Sequence, residues 1–354
     1  MKTAVAVSGG MDSLYALSAL KAAGHELLAL HGRFASARRD PLPGLREQCA
    51  RLAVPLHVAD LREEFRQRVI VPFVDAYAAG QTPNPCAHCN SAMKFGLLLD
   101  MAGEFGAQRL ATGHYAAFTR HPAYGFTLRR AADPGRDQSY FLSLVPKERL
   151  ARAVFPLADA VKSAIPGKLA GQGLAAPLPE ESREICFVPD DDYRVFLEEY
   201  AERLPGPGPI CLRDGRTVGR HEGLWRHTEG QRRGLGLAWS EALYVLEKDC
   251  ARNSLVVGTA AELRVHACRT GRCNVFVPAA QWPGRVFVRT RYKQEAQAAE
   301  VEIEDGILHV RFHEPQTVCA PGQIACVYDG DGWVLAAGII RIGHDALSEW
   351  GGGG

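Results

Sequence analysis

The stretch Ser8-Gly9-Gly10-Met11-Asp12-Ser13 follows the apolar run from Thr3 to Val7 and leads straight into helix-patterned residues from Leu14 to Lys21. A strand that breaks at paired glycines and restarts as a helix makes a cradle for an anion. The glycines let the backbone come close, and the first free N–H groups of the helix point at the negative charge. Ser8 and Ser13 add hydroxyl donors, and Asp12 is placed to hold a magnesium ion beside phosphates. No G-x-x-x-x-G-K-[ST] occurs in the chain, so this is not a Walker-type loop with its own phosphate lysine. A strand–loop–helix of this kind predicts an α/β domain built on a parallel sheet.

With 354 residues the chain exceeds one typical core, so two or three domains are expected. A hydrophobic content of 47% with 23% charged residues belongs to a globular protein rather than a disordered one. The opening MKTAVAVSGG lacks the apolar core of a signal peptide, and no run of about 18 apolar residues offers a membrane span. Ten cysteines without a secretory signal point to a reducing, cytoplasmic setting in which thiols stay free for metal binding or catalysis.

From Lys2 to about Leu204, strand-like and helix-like segments alternate, the pattern of a doubly wound parallel sheet. Lys2–Val7, Glu26–Leu30, Leu56–Val58 and Arg109–Thr112 read as strands, and Leu14–Ala23 as a helix stopped by Gly24. Leu61–Ala79 reads as a longer helix kinked at Pro72, and Asp190–Leu204 as a helix with aspartates at its positive end. Pro205-Gly206-Pro207-Gly208-Pro209 reads as a linker. Beyond it the chain is β-rich. A hairpin is expected from Ala242–Glu247 and Ser254–Gly258, and Val286–Arg291, Ala298–Glu304, Ile307–Phe312, Gln323–Tyr328 and Trp333–Ile340 suggest a small barrel. The predicted division is 1–204 for the nucleotide-binding catalytic domain, 205–270 for a small central domain, 271–346 for a C-terminal β-barrel and 347–354 for a flexible tail.

The sharpest chemistry outside the loop is Thr82-Pro83-Asn84-Pro85-Cys86-Ala87-His88-Cys89-Asn90. The prolines hold the segment extended, and capping by Asn90 or Ser91 predicts a helix from there on, with Cys89 at its N-terminus as a favoured thiolate. A Cys-x-x-Cys pair serves as a dithiol, half a zinc site or part of an iron–sulfur site. No second Cys-x-x-Cys exists to complete a zinc site. Cys186 in Arg183-Glu184-Ile185-Cys186-Phe187-Val188 has apolar neighbours, the usual setting of an inert buried thiol.

No acidic residue lies between Glu262 and Glu295, a stretch that carries Arg264, Arg269, Arg272, Arg285, Arg289, Arg291 and Lys293 with interleaved aromatics. Upstream, Arg216, Arg220, Arg226, Arg232 and Arg233 face only Glu222 and Glu229. Arginines that pair with phosphates and aromatics that stack on bases make this a candidate RNA-gripping region.

Read together, SGGMDS, TPNPCAHCN with MKFG, ATGHYA, RDQSYFLS, SREICFVP, GLWRHTEGQRRGLGL, RNSLVVG, RTRY and APGQIACVYDGD resemble, in order and spacing, the bacterial tRNA-specific 2-thiouridylases. These are members of the PP-loop ATP pyrophosphatases, whose signature SGGMDS matches. The resemblance runs from Lys2 to Ile340. It implies a tRNA-uridine 2-sulfurtransferase acting on the wobble uridine of tRNAs for lysine, glutamate and glutamine. ATP adenylates the base O2, a persulfide sulfur replaces it, and AMP and pyrophosphate leave. It implies ATP and Mg2+ as cofactors, with a cysteine desulfurase or a sulfur carrier protein as sulfur donor.

Carried over by motif, Ala6, Val7, Ser8, Gly9, Gly10, Met11, Asp12 and Ser13, with Gly32 and Gly113, correspond to the nucleotide site. His114, Arg136, Asp137, Gln138, Arg291, Tyr292 and Gln323 match positions that touch tRNA, and Asn84, Pro85 and Cys86 match the segment around the target base. Cys89 corresponds to the nucleophile and Cys186 to the persulfide carrier, two thiols that close a disulfide on product release. Family members commonly have aspartate where this chain has Cys86. The resulting trio Cys86, Cys89 and Cys186 equals the ligand count of a [4Fe–4S] cluster with one open iron, so a persulfide relay and a cluster both stand. His227 and Glu229 replace a tyrosine and an isoleucine, and Arg136 replaces a lysine. The family methionine expected near His31-Gly32-Arg33-Phe34 is missing, and Pro166-Gly167 falls within a helix that is usually continuous. An amide-forming PP-loop ligase and a non-catalytic RNA-binding protein on the same scaffold are the rival readings. The former needs none of the three cysteines, and the latter leaves SGGMDS unexplained.

Overall fold

The structure is a computed structural model that describes residues 1–35, 39–178 and 185–342. The tail expected at 347–354 and residues Ser182, Arg183 and Glu184 of the SREICFVP block lie outside the described residues. The N-terminal body begins β1 (Thr3–Ala6), α1 (Met11–Ala22), β2 (Leu27–Arg33), α2 (Leu42–Arg51), β3 (Leu56–Asp60). A continuous helical rod follows: α3 (Arg62–Phe65), a π-turn at Arg66–Ile70, then α4 (Val71–Ala78). Pro72 has no N–H to give to an α ladder, and the rod widens just before it, so the expected kink takes the form of a π segment. Next come α5 (Pro85–Cys89), a second π segment at Asn90–Leu98, α6 (Leu99–Glu104) and β4 (Arg109–Ala111). A hairpin of β5 (Ala116–His121) and β6 (Gly125–Arg130) follows, then α7 (Ser139–Leu142), α8 (Lys147–Leu150), β7 (Ala153–Val154), α9 (Ile165–Ala170) and α10 (Tyr193–Tyr200).

The main sheet has the order β3-β2-β1-β4-β7 with every pairing parallel. Strand β1 is the switch point, and crevices that bind ligands open at the carboxyl ends of strands there. Successive residues of β1 enter different cores. Ala4 packs with Leu28, Phe73, Phe95 and Tyr140, while Val5 packs with Leu14, Leu17, Leu45 and Ile165. Helices on both faces thus explain why β1 is apolar from Ala4 to Ala6 rather than alternating.

Two helix expectations change. Pro166 sits in the first turn of α9, where a missing N–H costs nothing, so it starts this helix rather than interrupting it. The helix expected at Asp190–Leu204 is shorter: Asp190 has a left-handed φ of 55°, and the Asp192 carboxylate accepts the Arg194 N–H at 3.0 Å to begin α10. The Pro205–Pro209 stretch is anchored rather than loose. Trp225 Nε1 donates to the Pro205 carbonyl, and Asn253 Nδ2 to the carbonyls of Gly206 and Pro207.

The central unit is a four-stranded sheet of β8 (Gly208–Leu212), β9 (Thr217–His221), β10 (Tyr244–Asp249) and β11 (Ser254–Gly258), with its own core around Ile210, Leu224, Val245 and Leu255. Strands β10 and β11 form the expected hairpin. The C-terminal unit is a closed six-stranded barrel of β12 (Arg264–Val275), β13 (Val286–Arg289), β14 (Gln297–Glu304), β15 (Ile307–Thr317), β16 (Ile324–Tyr328) and β17 (Val334–Ile342). The boundary drawn at 270/271 cuts β12, which pairs with both β15 and β17 to close the barrel, so the barrel begins at Arg264. Register shifts along β12 break its alternation and hide it from a period-two reading.

Barrel and N-terminal body share one hydrophobic core, in which Phe73, Phe95 and Tyr140 are continuous with Ile324, Val327 and Tyr328. The Tyr140 hydroxyl donates to the Ile324 carbonyl at 3.1 Å and accepts its N–H at 3.2 Å. Hairpin β5–β6 leans on the barrel through Thr127 Oγ1, which donates to the Val334 carbonyl at 2.6 Å. A tighter tie is Gly322, with φ at 92°, where an added Cβ would lie 2.9 Å from the backbone of Thr82. Gly215 has φ at 87° but open space around it. Replacing Gly215 by alanine should therefore cost only the left-handed penalty of about 1–2 kcal/mol. Gly322→Ala should cost a further 1–3 kcal/mol, roughly, for the overpacked contact. Urea unfolding of both variants checks this, and equal midpoints would mean that the Thr82 contact yields freely.

Candidate active site

At the end of β1, Gly9 adopts φ of 91°, and a Cβ there would stand 2.6 Å from Cβ of Pro41. Only glycine fits this bend without strain. The serine hydroxyls tie the loop shut on itself: Ser13 Oγ accepts the Ser8 N–H at 3.1 Å and donates to the Gly10 carbonyl at 2.9 Å, while Ser8 Oγ accepts the Gly10 N–H at 3.3 Å. Gly10 then caps α1, with Met11 and Asp12 in its first turn. From the loop after the neighbouring strand β4, Gly113 presses on this turn so closely that a Cβ would be 2.8 Å from the Asp12 carbonyl carbon and the Ser13 nitrogen. The structure therefore brings Ser8–Ser13 and Gly113 together at the switch point. Ala6 and Val7 belong to the strand and its extension, where Val7 N–H donates to the Leu30 carbonyl. Gly32 lies near the end of β2 against the ring of Phe34.

Asp12 is already engaged. Lys162 Nζ lies 2.7 and 2.8 Å from its two oxygens, and the Tyr115 hydroxyl donates to Oδ1 at 2.8 Å. Burial, reinforced by the bond to the Asp12 carboxylate, pushes the Tyr115 phenol up, so it stays protonated as a donor. Neither Lys162 nor Tyr115 was picked out from sequence, since no local motif joins them to Asp12.

The thiol segment departs from expectation. Asn84, not Asn90 or Ser91, is the cap: its side-chain oxygen accepts the Ala87 N–H at 3.1 Å and starts α5 with Pro85 in the first turn. Cys86 thus occupies the first turn, and Cys89 is the last residue of α5, buried, with the helix running on into the π segment. The expected thiolate-favouring helix N-terminus does not act on Cys89. Instead burial drives its thiol up to about 12, opposed by Lys94. Cys86 and Cys186 are exposed residues, yet the protein packed around their thiols partly desolvates them and raises both, again against the Lys94 ammonium. Cys186 and Cys86 each push up Cys89, and Cys86 pushes up Cys186, so the three thiols share one neighbourhood although 97 positions separate Cys89 from Cys186 (186 − 89). All ten cysteines are free thiols. Among the described residues no three His, Cys, Asp or Glu side chains are arranged to hold a metal ion, so these thiols do not present a ready cluster cradle.

The residues matched to RNA contact divide in two. Arg136 and Cys86 are exposed, Asn84 and Tyr292 are half-buried, the latter's ring 4.2 Å from that of Phe141, and Pro85 is buried in the first turn of α5. The others are engaged internally. His114 is buried between Thr112 Oγ1 at 2.8 Å and Lys94 Nζ at 3.3 Å, and burial followed by the Lys94 charge holds its pKa well below the usual histidine value. Gln138 exchanges bonds with the backbone of Tyr115. Asp137 is buried, accepts from Ser139 and pairs with Arg289 at 3.3 Å. Arg291 donates to the carbonyls of Glu229 at 2.6 Å and Val318 at 3.3 Å. Gln323 donates to the Thr82 carbonyl at 2.9 Å. Within the basic stretch, Arg289 and Arg291 are therefore structural ties, whereas Arg264, Arg269, Arg272, Arg285 and Lys293 are exposed.

Sequence reasoning also missed the meeting point at Thr82. Its N–H donates to the Pro321 carbonyl of the barrel, and its hydroxyl contacts Thr228 and the Lys248 ammonium of the central unit. Lys248 is fully buried, with Glu229 Oε2 at 3.3 Å and the His227 carbonyl at 3.1 Å.

No helix among the described residues is long and apolar enough to cross a membrane. Three family models match successive stretches of the chain: the tRNA methyl transferase HUP domain at residues 1–190, the tRNA methyl transferase PRC-barrel domain at 194–259 and the aminomethyltransferase beta-barrel domain at 265–340. Among curated relatives, proteins named tRNA-specific 2-thiouridylase MnmA are 52% identical in Nitratidesulfovibrio vulgaris (strain Miyazaki F) and 49% identical in Lawsonia intracellularis, each pairing covering 96% of this chain and 99% of the relative. A further one from Oleidesulfovibrio alaskensis is 52% identical over the same shares. A PP-loop cradle, a thiol cluster on the same body and near-complete coverage by these relatives agree: the chain belongs to the tRNA-specific 2-thiouridylase family.

Proposed function

We propose that this protein is an ATP-dependent tRNA-uridine 2-sulfurtransferase that replaces O2 of the wobble uridine by sulfur. The observation that carries this reading is that one chain holds both a closed SGGMDS cradle and, around the Lys94 ammonium, the three thiols of Cys86, Cys89 and Cys186. The amide-forming ligase would need only the first. Ser8, Gly9, Gly10 and Ser13 take the ATP phosphates on backbone N–H and hydroxyl donors, supported by Gly113 beneath the helix turn. Ala6, Val7, Met11 and Gly32 line the approach to the nucleotide. A magnesium ion, when bound, neutralises phosphate charge, and the Asp12 carboxylate is the residue that fits it.

Uridine O2 attacks the α-phosphorus and pyrophosphate leaves. The terminal sulfur of a Cys186 persulfide then forms the C2–S bond while the C2–O bond breaks and AMP departs with the oxygen. Cys89 attacks the Cys186 sulfur, releasing the thiocarbonyl and leaving a Cys89–Cys186 disulfide that an external thiol reduces. High thiol pKa values leave resting Cys89 and Cys186 protonated, which suits a site whose reactive sulfur is delivered already as a persulfide. We place the donor as a cysteine desulfurase or a sulfur carrier. The substrates are tRNAs for lysine, glutamate and glutamine, gripped through Asn84, Pro85, Cys86, Arg136 and Tyr292, with His114, Asp137, Gln138, Arg291 and Gln323 shaping that surface from beneath. Domains of about 1–204, 205–263 and 264–346 divide these tasks, the first boundary following the anchored proline run and the second the start of β12.

Asp12→Ala should abolish tRNA-dependent pyrophosphate release while tRNA binding stays close to wild type, as read by a coupled pyrophosphate assay and filter binding. Formation of ADP and phosphate instead of AMP would remove the PP-loop assignment.

Cys89→Ser and Cys186→Ser should each abolish 2-thiouridine in tRNA nucleosides analysed by mass spectrometry. Cys86→Asp separates relay from cluster: under the persulfide relay proposed here it retains thiolation, whereas under a [4Fe–4S] reading it loses anaerobically reconstituted iron absorbance.

Lys94 lowers all three thiols, so Lys94→Met should move the pH midpoint of iodoacetamide labelling of Cys86 and Cys186 upward and slow labelling at pH 8. An unmoved midpoint would show that the ammonium does not act on them.

A further inference from the structure

The loop lacks a phosphate lysine of its own, yet a lysine reaches it from a distant segment. Lys162 opens a short 3-10 turn, Lys162–Ala164, ahead of α9. Its backbone N–H is fixed to Asp133 Oδ2 at 3.3 Å, and its ammonium spans both oxygens of Asp12 at 2.7 and 2.8 Å. The Lys162 side chain is 12% exposed and that of Asp12 33%, so the pair is set into the crevice rather than lying on open surface. Asp12 is in the first turn of α1, adjoining Ser13, whose hydroxyl fastens the loop. The same carboxylate therefore serves two cations: the ammonium that holds it here and the divalent ion that suits it in catalysis. Both cannot take the same two oxygens.

We propose that Lys162 is a catalytic residue of the adenylation step, which exchanges its carboxylate partner for the departing pyrophosphate when a divalent cation and ATP enter. This rests on the function proposed above. In the step, the uridine O2 lone pair forms the O2–P bond at the α-phosphorus and the α–β bridging P–O bond breaks, its electron pair leaving on pyrophosphate. The N3 proton of the base, acidified by O-adenylation, passes to water. The ammonium transfers no proton; it meets the negative charge that builds on the leaving oxygen, where a fixed cation is worth most. Its anchored root and long stem let the head move from carboxylate to phosphate without moving the backbone.

The test is full-length Lys162→Met beside Lys162→Arg, read three ways: single-turnover pyrophosphate release with tRNA, Mg2+ affinity by calorimetry without tRNA, and loading of Cys186 with persulfide. Lys162→Met is expected to slow pyrophosphate release by about 100- to 1,000-fold. It should load persulfide normally and bind Mg2+ as tightly as wild type or tighter, because the competitor for Asp12 is gone. Lys162→Arg should recover part of the rate. Wild-type release by Lys162→Met overturns the proposal. So does a fall in Mg2+ affinity that matches the fall in rate, which would make the lysine a mere brace for Asp12. A wild-type enzyme that yields ADP and phosphate overturns the underlying reaction, and is recognised without any variant.

Discussion

The buried ammonium of Lys248 is the constraint on which the arrangement of the three units depends. An ion of this kind is expensive to take out of water and persists only where its hydrogen bonds are filled. Here the His227 carbonyl and the Thr82 hydroxyl accept from it, and the Glu229 carboxylate stands 3.3 Å away as its charge partner. Burial pulls Lys248 down and pushes Glu229 up, and each partner's charge opposes the shift of the other. Deleting one member of such a pair costs about 3–5 kcal/mol because it strands the other. The pair therefore fixes where Thr82 must lie, and Thr82 is the entry to Asn84, Pro85, Cys86 and Cys89. His227 beside it is held down to about 4 by burial and the nearby positive groups, so it contributes no charge of its own.

What was legible in the sequence is what is local. The glycine bend, the strand before it and the helix after it are written in contiguous residues, and so are the hairpin after residue 242 and five of the six barrel strands. The misreadings have physical causes. Asn84 competes with Asn90 and Ser91 for the role of cap, and it wins because Pro85 can occupy the first helical position, where it needs no N–H. Strand β12 went unseen because bulges spoil its alternation. The ties between Asp12 and Lys162, Thr82 and Lys248, and Asp137 and Arg289 span 150, 166 and 152 positions, and no pattern in one sequence announces a partner so far away.

The same limit explains the basic stretch. On paper Arg289 and Arg291 stand in a run without acids; in space Asp137 and the Glu229 carbonyl come to them from other units. Charge counted along a chain is thus a poor guide to charge offered to solvent. The field that a polyanion meets comes from the exposed remainder, and RNA contact through Arg289 would first have to break a buried ion pair.

The shared core has a consequence for how the protein is made. Residues 1–204 emerge from the ribosome long before 228, 248 and 321–323 exist, so the chain leading to Cys86 and Cys89 lacks its ties to the other two units while synthesis proceeds. Tyr140 waits likewise for the backbone of Ile324. The segment before Cys86 and Cys89 thereby gains its ties to the central unit and the barrel last, and a prematurely ended chain carries the nucleotide cradle without them.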